Sequence, residues 1–230
     1  MLAAGILLFL AGACVLAYPH VRQALFDAQA RQDEAAFLEV RDTAPVDAEG
    51  AADSRLEELY RFMLSENERL AAEGQPELSD PFAYTQPAVD LSAYGVPENR
   101  MGYVRIPAMD VVLPLYLGAS EANMALGAVH LTGSSYPVGG SSANAVIAAH
   151  RGFATAAMFR DIEALAVGDQ VLVENFRETL AYRVAETRVV SPDDLASVTI
   201  QPGRDLVTLS TCHPLGSNAF RYLVICERVE

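Results

Sequence analysis

Short runs of β-prone residues, each bounded by turn residues, occupy the chain from about residue 101 to residue 226. Seven such runs are Met101 to Ile106, Val111 to Leu117, Ala145 to Ala149, Gln170 to Val173, Leu180 to Val190, Leu206 to Ser210 and Arg221 to Cys226. One helical patch, Ala156 to Leu165, interrupts them. Many short strands separated by regular turns are typical of a β-barrel or a β-sandwich. We therefore predict a mainly β domain with a few short helices.

The N-terminus has a different texture. Residues Leu2 to Tyr18 form a run of 17 residues without a charge, at the lower limit for a helix that spans a bilayer. We predict an uncleaved membrane anchor. A cleaved signal peptide is the alternative, because the run contains small residues, although the basic region that usually begins such a peptide is missing. The positive-inside rule does not support an outside C-terminus, because the nearest arginines follow the run.

Two helices are predicted between the apolar run and the β-rich part. Residues Val21 to Arg41 mix apolar and charged side chains and predict a juxtamembrane helix, followed by a loop over Asp42 to Ala52. A second helix begins at Ser54 with a capping-box pattern and ends near Gly74.

The charge balance argues against a nucleic-acid partner. The chain has 30 acidic and 16 basic residues, a formal charge of −14, so it repels phosphate backbones. All 16 basic residues are arginine, so the chain has no lysine side-chain amine. Its three cysteines, at 14, 212 and 226, are too few for a disulfide framework. No Cys or His pattern indicates a metal site, and no cofactor is expected.

Cys212 is the best candidate for a reactive group. It ends the β-prone run that begins at Thr208, and Pro214 prevents regular strand pairing from continuing. A cysteine nucleophile needs a proton partner and a group that stabilises the developing oxyanion. Among the four histidines, at 20, 130, 150 and 213, we favour His150 because it also ends an apolar run. Arg221 begins the next run, nine residues after Cys212, and a loop could fold its guanidinium over the thiol.

At these positions the chain resembles the sortase family. The sequence Thr208-Leu209-Ser210-Thr211-Cys212 resembles the TLxTC signature of that family, Arg221 follows at the expected place, and Ala149-His150-Arg151-Gly152 surrounds the histidine. The resemblance implies a closed sortase-type β-barrel of about eight strands. It also implies a catalytic set of His150, Cys212 and Arg221, with Thr211 as a candidate substrate-binding residue. The implied domains are an anchor at 1–19, a helical extension at 20–99 and the catalytic barrel at 100–230.

The triplet Asp80-Pro81-Phe82 resembles the lid motif of class C sortases, which polymerise pili. By that resemblance Asp80 pairs with Arg221 and Phe82 lies against Cys212. A carboxylate would neutralise the arginine, and the proline would fix the turn between the two lid side chains.

The resemblance implies a thioester mechanism on the outer face of the cell membrane of a Gram-positive bacterium. Cys212 attacks an LPxTG-like sorting signal of a surface or pilin protein, Arg221 stabilises the oxyanion, and His150 protonates the leaving amine. Because the chain has no lysine, the acceptor amine comes from a partner, either a pilin lysine or a cell-wall precursor.

The sequence leaves three other functions open. The first is attachment of surface proteins to the peptidoglycan precursor. A papain-like cysteine hydrolase is the second, although those enzymes place the cysteine before the histidine. The third is a membrane-tethered β module without catalysis, in which Cys212 is incidental.

Overall fold

The computed structural model describes residues 2–43, 54–84, 91–153 and 156–229. Within these ranges, eight strands form one closed barrel. They are β1 (Arg100–Ile106), β2 (Val111–Leu117), β3 (Ala128–His130), β4 (Ala143–Ala148), β5 (Gln170–Asn175), β6 (Thr179–Val190), β7 (Asp205–His213) and β8 (Phe220–Arg228). The order around the barrel is β1-β2-β3-β4-β7-β8-β6-β5, and β5 pairs with β1 to close it. The prediction of a closed β-barrel is confirmed.

The barrel mixes parallel and antiparallel pairs. Strand β2 runs parallel to β3, and β4 runs parallel to β7, whereas the other neighbours are antiparallel. In the second parallel pair, Ala148 lies opposite Ser210. The carboxyl ends of β4 and β7 therefore meet at the same rim of the barrel.

Apolar side chains fill the interior of the barrel. Each strand contributes inward residues that are almost completely buried, among them Val104, Leu115, Ile147, Val171, Leu209 and Val224. The segment after β4 adds Phe159 and Ile162, which pack in the same cluster. Burying side chains of this size stabilises a fold by about 1.5–3 kcal/mol each, so the interior holds the strand ends in fixed positions.

The prediction of a helix over residues 156–165 is wrong in its extent. Only Ile162–Ala164 is helical there, as a short 3-10 helix. Met158 has a positive φ of 47°, and the Phe159 amide donates to the carbonyl of His150 at 3.0 Å. These contacts draw the segment onto the end of β4 and prevent a regular helix.

Helix α1 (Leu2–Thr43) combines the predicted anchor and the predicted juxtamembrane helix in one element that continues through Pro19. Its N-terminal part is long and apolar enough to cross a membrane, and that window has no buried residue. The predicted loop over residues 42–52 lies outside the described residues from residue 44 onward.

The C-terminal half of α1 packs against the barrel through charged side chains. Arg31 pairs with Asp110 after β1 at 3.0 Å. Glu34 is 2% exposed and contacts Arg105 of β1 at 2.5 Å, and Arg105 also lies 3.4 Å from Glu174 of β5. Burial, with Glu34 beside it, raises the pKa of Glu174 to about 7. Two buried carboxyl groups and one arginine therefore join α1 to the barrel.

Helix α2 (Ser54–Glu73) lies on the barrel and leads to the site. Its buried face presents residues with helical spacing, Leu59, Met63, Asn67 and Leu70. The helix ends before Gly74, whose φ of +91° suits the residue that follows a helix, as predicted. The next residues run close to Gly133, where an added Cβ would lie 2.8 Å from the carbonyl carbon of Glu77. This close approach fixes the path of the chain into the segment that begins at Asp80.

A short helix, α3 (Glu121–Leu126), follows β2. The Ser120 side chain accepts a hydrogen bond from the Asn123 amide and caps its first turn. Met124 of this helix is fully buried and contributes to the apolar cluster that borders Cys212.

Candidate active site

His150 and Cys212 follow two neighbouring parallel strands. The last pair of the ladder is Ala148 with Ser210, and each candidate lies two residues further along its own strand direction. The Thr211 hydroxyl donates to the carbonyl of Ala149 at 2.8 Å, and Thr211 is fully buried. This bond ties the residue before Cys212 to the residue before His150. The Thr211 hydroxyl therefore already has a partner within the barrel. A substrate-binding role for Thr211 stays a prediction.

Arg221 lies on the strand at the other side of Cys212. In the antiparallel pairing of β7 with β8, Cys212 and Arg221 are directly opposite, and Arg221 Nη1 is 3.8 Å from Cys212 Sγ. The same Nη1 donates to the Asn218 side-chain oxygen at 2.8 Å and to the Phe220 carbonyl at 2.9 Å. The guanidinium is therefore held beside the thiol by the loop that joins the two strands.

Asn218 is a site residue that the sequence reasoning missed. Its side-chain oxygen accepts from Arg221 and lies 3.5 Å from Cys212 Sγ, so it contacts both groups. The only available signal was its position in the short connection between β7 and β8. Polar residues are common in such loops for other reasons, and this signal is therefore weak.

The residues from Asp80 to Tyr84, which we call the 80–84 segment, cover this pair. Asp80 accepts from Arg221 through both oxygens, with distances of 2.7 Å to Nε and 2.6 Å to Nη2. Such a two-pronged pair matches the planar geometry of both groups. Pro81 begins a short 3-10 helix, Pro81–Ala83, which carries the chain from the carboxylate to the aromatic residue.

Phe82 fills the apolar space next to the thiol. It is 7% exposed and packs in a cluster with Tyr116, Met124 and Ala148, against which Cys212 also packs. The Arg221 guanidinium carbon lies 4.8 Å from the centre of the Phe82 ring, within the range of a cation–π contact. The structure thus pairs Asp80 with Arg221 and places Phe82 in the apolar cluster against which Cys212 packs.

The contacts of the His150 ring are aromatic. It stacks on Phe153 with 4.7 Å between ring centres and a 12° interplanar angle, and Phe82 and Tyr84 lie 6.3 Å away. Tyr84 and Phe153 were not singled out from the sequence. Tyr84 adopts a left-handed backbone conformation, with a φ of 53°. The sequence does not predict this conformation, so an aromatic residue two positions after Asp-Pro-Phe does not by itself indicate a contact with His150.

Burial makes the charged forms of the thiol and the imidazole less favourable. It raises the pKa of Cys212, and the nearby Asp80 carboxylate acts in the same direction, while Arg221 and Arg151 act in the opposite one. Burial also lowers the pKa of His150. With the 80–84 segment in place, the site therefore favours a neutral thiol and a neutral imidazole.

The other cysteines differ from Cys212. Cys226 is fully buried, and burial raises its thiol pKa to about 12. Cys14 is exposed on α1. In the described part of the chain, no three His, Cys, Asp or Glu side chains are arranged to hold a metal ion.

Comparison with known proteins places this geometry in a family. The sortase domain family matches residues 104–229. Sortase D of Bacillus subtilis is 27% identical over 166 residues, which cover 70% of this chain and 80% of that protein. Sortase A of Bacillus anthracis is 30% identical over 129 residues, which cover 56% of this chain and 60% of that protein.

Solved sortase structures match a larger part of the chain. Sortase C1 of pilus island 1 of GBS is 31% identical and superposes with a TM-score of 0.74, covering 87% of this chain and 92% of that chain. Sortase C of Streptococcus pneumoniae is 34% identical with a TM-score of 0.73, covering 86% and 97%. The family match spans more than half of the sequence, and the chain therefore belongs to the sortase family of cysteine transpeptidases.

Proposed function

We propose that this chain is a class C sortase that joins pilin subunits, with His150, Cys212 and Arg221 as its catalytic residues. The observation that carries the proposal is the two-pronged contact of Asp80 with Arg221, together with Phe82 against Cys212. In this arrangement the 80–84 segment is a lid that occupies the catalytic arginine. The structural relatives support the proposal, since the pneumococcal structure is described in terms of pilin substrate specificity.

The first half of the reaction forms a thioester. The Cys212 thiolate attacks the carbonyl carbon after the threonine of an LPxTG-like sorting signal, and a tetrahedral oxyanion develops. Arg221 lies on the neighbouring strand and stabilises that charge. The carbon–nitrogen bond then breaks, and His150 donates a proton to the leaving amine. Acyl-enzyme and the C-terminal fragment of the signal are the products.

The second half transfers the acyl group to an amine. An uncharged lysine amine of a second pilin attacks the thioester carbonyl, the carbon–sulfur bond breaks, and an isopeptide bond forms. His150 accepts the proton that the amine loses, and the Cys212 thiolate is regenerated. The sequence lacks lysine, so it offers no side-chain amine of its own to compete with that acceptor.

The lid must move before this chemistry begins. Asp80 occupies Nε and Nη2 of Arg221, and Phe82 occupies the apolar space beside the thiol. A substrate carbonyl needs access to the Arg221 guanidinium and to the space beside the thiol. Release of both contacts would also reduce the burial of Cys212 and His150, and burial is what raises the pKa of the thiol and lowers the pKa of the imidazole.

We also propose that α1 anchors the enzyme as a single-pass cell-membrane protein with the barrel outside the cytoplasm. One long, apolar and exposed helix segment supports the membrane span. The domain boundaries at residues 19 and 99 remain part of the same proposal.

The test uses the full chain in detergent micelles with a pilin that carries an LPxTG-like tail. Mass spectrometry should find an acyl adduct on Cys212 that passes to an added pilin lysine, more readily in a Phe82→Ala form. Cys14→Ala is the matched control and should retain the adduct, whereas Cys212→Ala should lose it. Transfer only to a peptidoglycan precursor amine would favour wall attachment, and transfer only to water would favour a hydrolase. No adduct in either form, across several tails, would refute the proposed function.

A further inference from the structure

The proposed chemistry does not use a second arginine that also reaches the strand ends of the site. Arg151 follows His150 directly, and its side chain is only 7% exposed. Its Nη2 lies 2.6 Å from Glu163 Oε1, and its Nη1 lies 2.8 Å from His213 Nδ1 and 3.5 Å from the Cys212 carbonyl. One guanidinium therefore contacts the residue after the thiol, the thiol residue itself and the short helix Ile162–Ala164.

The position of this arginine complements that of Arg221. Strand β7 lies between β4 and β8 in the barrel, so Arg151 approaches Cys212 from the β4 side and Arg221 approaches it from the β8 side. Each arginine is paired with a carboxylate, Asp80 for Arg221 and Glu163 for Arg151. Asp80 belongs to the lid, whereas Glu163 belongs to the barrel domain and stays paired when the lid moves.

His213 adds a third contact to the same pair. Its Nδ1 lies 2.8 Å from both Arg151 Nη1 and Glu163 Oε1. One nitrogen cannot accept from the arginine and donate to the carboxylate at once, so His213 Nδ1 bonds to only one of them. The Arg151–Glu163 pair is present in either case, and the Arg151 guanidinium holds the pKa of Glu163 below its usual value.

We propose that Arg151 is a positioning residue for the transpeptidation reaction. Its guanidinium joins the strand ends that carry His150 and Cys212, and it keeps a positive charge at the backbone of Cys212 while Arg221 is engaged with the lid or the substrate. Glu163 orients that guanidinium and partly offsets its positive charge. The proposal rests on the roles proposed above for Cys212 and His150.

The test reads the thiol directly and needs no sorting signal. The pH dependence of alkylation by iodoacetamide is followed at the Cys212 peptide by mass spectrometry, using the full chain in micelles and a Phe82→Ala background. Other charged or titratable groups around Cys212 are unchanged in every variant, namely Asp80, Tyr84, His150, His213 and Arg221. Arg204→Met is the matched control for Arg151→Met, because Arg204 forms a similar pair with Glu227 elsewhere on the barrel.

Arg151→Met removes the charge and should raise the apparent thiol pKa by about 0.5–1 unit, which lowers the alkylation rate at pH 7 by about 3–10-fold. Arg151→Lys keeps a charge and should stay within about twofold of the parent. Glu163→Gln leaves the arginine uncompensated and should shift the thiol pKa in the opposite direction, downward. Glu227→Gln and Arg204→Met should leave the profile unchanged.

If Arg151 had only a structural role, Arg151→Met and Glu163→Gln would shift the apparent thiol pKa in the same direction. That result would overturn the proposal. Equal profiles for Arg151→Met and Arg204→Met would also overturn it. If Arg151→Met does not fold, the downward shift in Glu163→Gln decides the question, since an unchanged profile there contradicts the proposal. These profiles are independent of acyl transfer, so failure of the parent to form an adduct with any tail would count against the proposed function alone.

Discussion

The Asp80 carboxylate binds Arg221 through both oxygens, at 2.7 and 2.6 Å, although the two residues are 141 positions apart in the sequence. This pair places one negative charge next to the arginine that we propose stabilises another in the reaction.

Replacing Asp80 by asparagine should make Cys212 more reactive. Burial is the main cause of the raised pKa of the thiol and the Asp80 carboxylate adds to it, so removal of that charge lowers the pKa and increases the thiolate fraction near neutral pH. We expect alkylation of Cys212 at pH 7 to become about 3–10-fold faster. Asp110→Asn is the control, because Asp110 pairs with Arg31 away from the site. Equal rates in Asp80→Asn and the parent would show that the charge of Asp80 does not control the reactivity of Cys212.

Replacing Phe82 by alanine should open the lid. Burial of this ring contributes about 2 kcal/mol to the closed form, which corresponds to a shift of about 30-fold in the equilibrium between closed and open forms. Alkylation of Cys212 and acyl transfer should both accelerate, up to the limit set by the open form. Phe62→Ala, on an exposed part of α2, should change neither rate. Slower acyl transfer in Phe82→Ala would show instead that the ring helps to bind substrate.

Replacing Arg221 by lysine should reduce kcat far more than it changes KM. A lysine keeps the charge but loses the planar donor set that now contacts Asp80 and Asn218. We expect kcat for transfer to fall by about 100-fold or more, because the lost donors act on charge that develops only in the transition state. Arg204→Lys should leave kcat unchanged. A rise in KM alone would indicate that Arg221 binds substrate without stabilising the oxyanion.

Replacing Glu174 by glutamine should flatten the dependence of stability on pH. Burial and the neighbouring Glu34 raise the pKa of Glu174 from 4.5 to about 7, so the folded state binds more protons than the unfolded state between these values. The free energy of unfolding therefore falls as the pH rises through this window. Urea unfolding at pH 5 and pH 8 should show a loss on the order of 2 kcal/mol in the parent, which Glu174→Gln removes.

The control for that measurement is Glu68→Gln, on the exposed face of α2. It should leave the difference between pH 5 and pH 8 as large as in the parent. If Glu174→Gln behaves like this control, the carboxyl pair beneath α1 does not govern the pH dependence.

The sequence predicts the parts of the barrel whose strands are long enough to show a pattern. β3 has only three residues and exists because β2 and β4 lie on either side of it, so no local pattern reveals it. The helical patch at 156–165 has helix-forming residues, yet a hydrogen bond to the His150 carbonyl determines its path. Propensity is overridden by tertiary contacts in both cases.

At the site, the sequence predicts only the residues that belong to the sortase signature. Cys212 lies opposite Arg221, and His150 follows the adjacent parallel strand, because β4, β7 and β8 are neighbours in the barrel. Asn218, Tyr84 and Phe153 touch the same groups, but each depends on a loop conformation. The contact of Glu163 with Arg151 could not be predicted for the same reason, since it depends on how a short 3-10 helix packs.

The continuity of α1 also determines where the enzyme can work. Ala30 and Glu34 of this helix are buried against the barrel, and the apolar run ends at Tyr18 on the same uninterrupted helix. At 1.5 Å per residue, the twelve residues from Tyr18 to Ala30 separate the two by about 18 Å. In the proposed membrane orientation, the catalytic rim is therefore kept at a set height above the lipid and cannot swing freely on a tether. Only a substrate whose sorting signal lies at that height above the membrane can then reach the catalytic rim. The distance from the membrane therefore restricts substrates before the sorting signal binds.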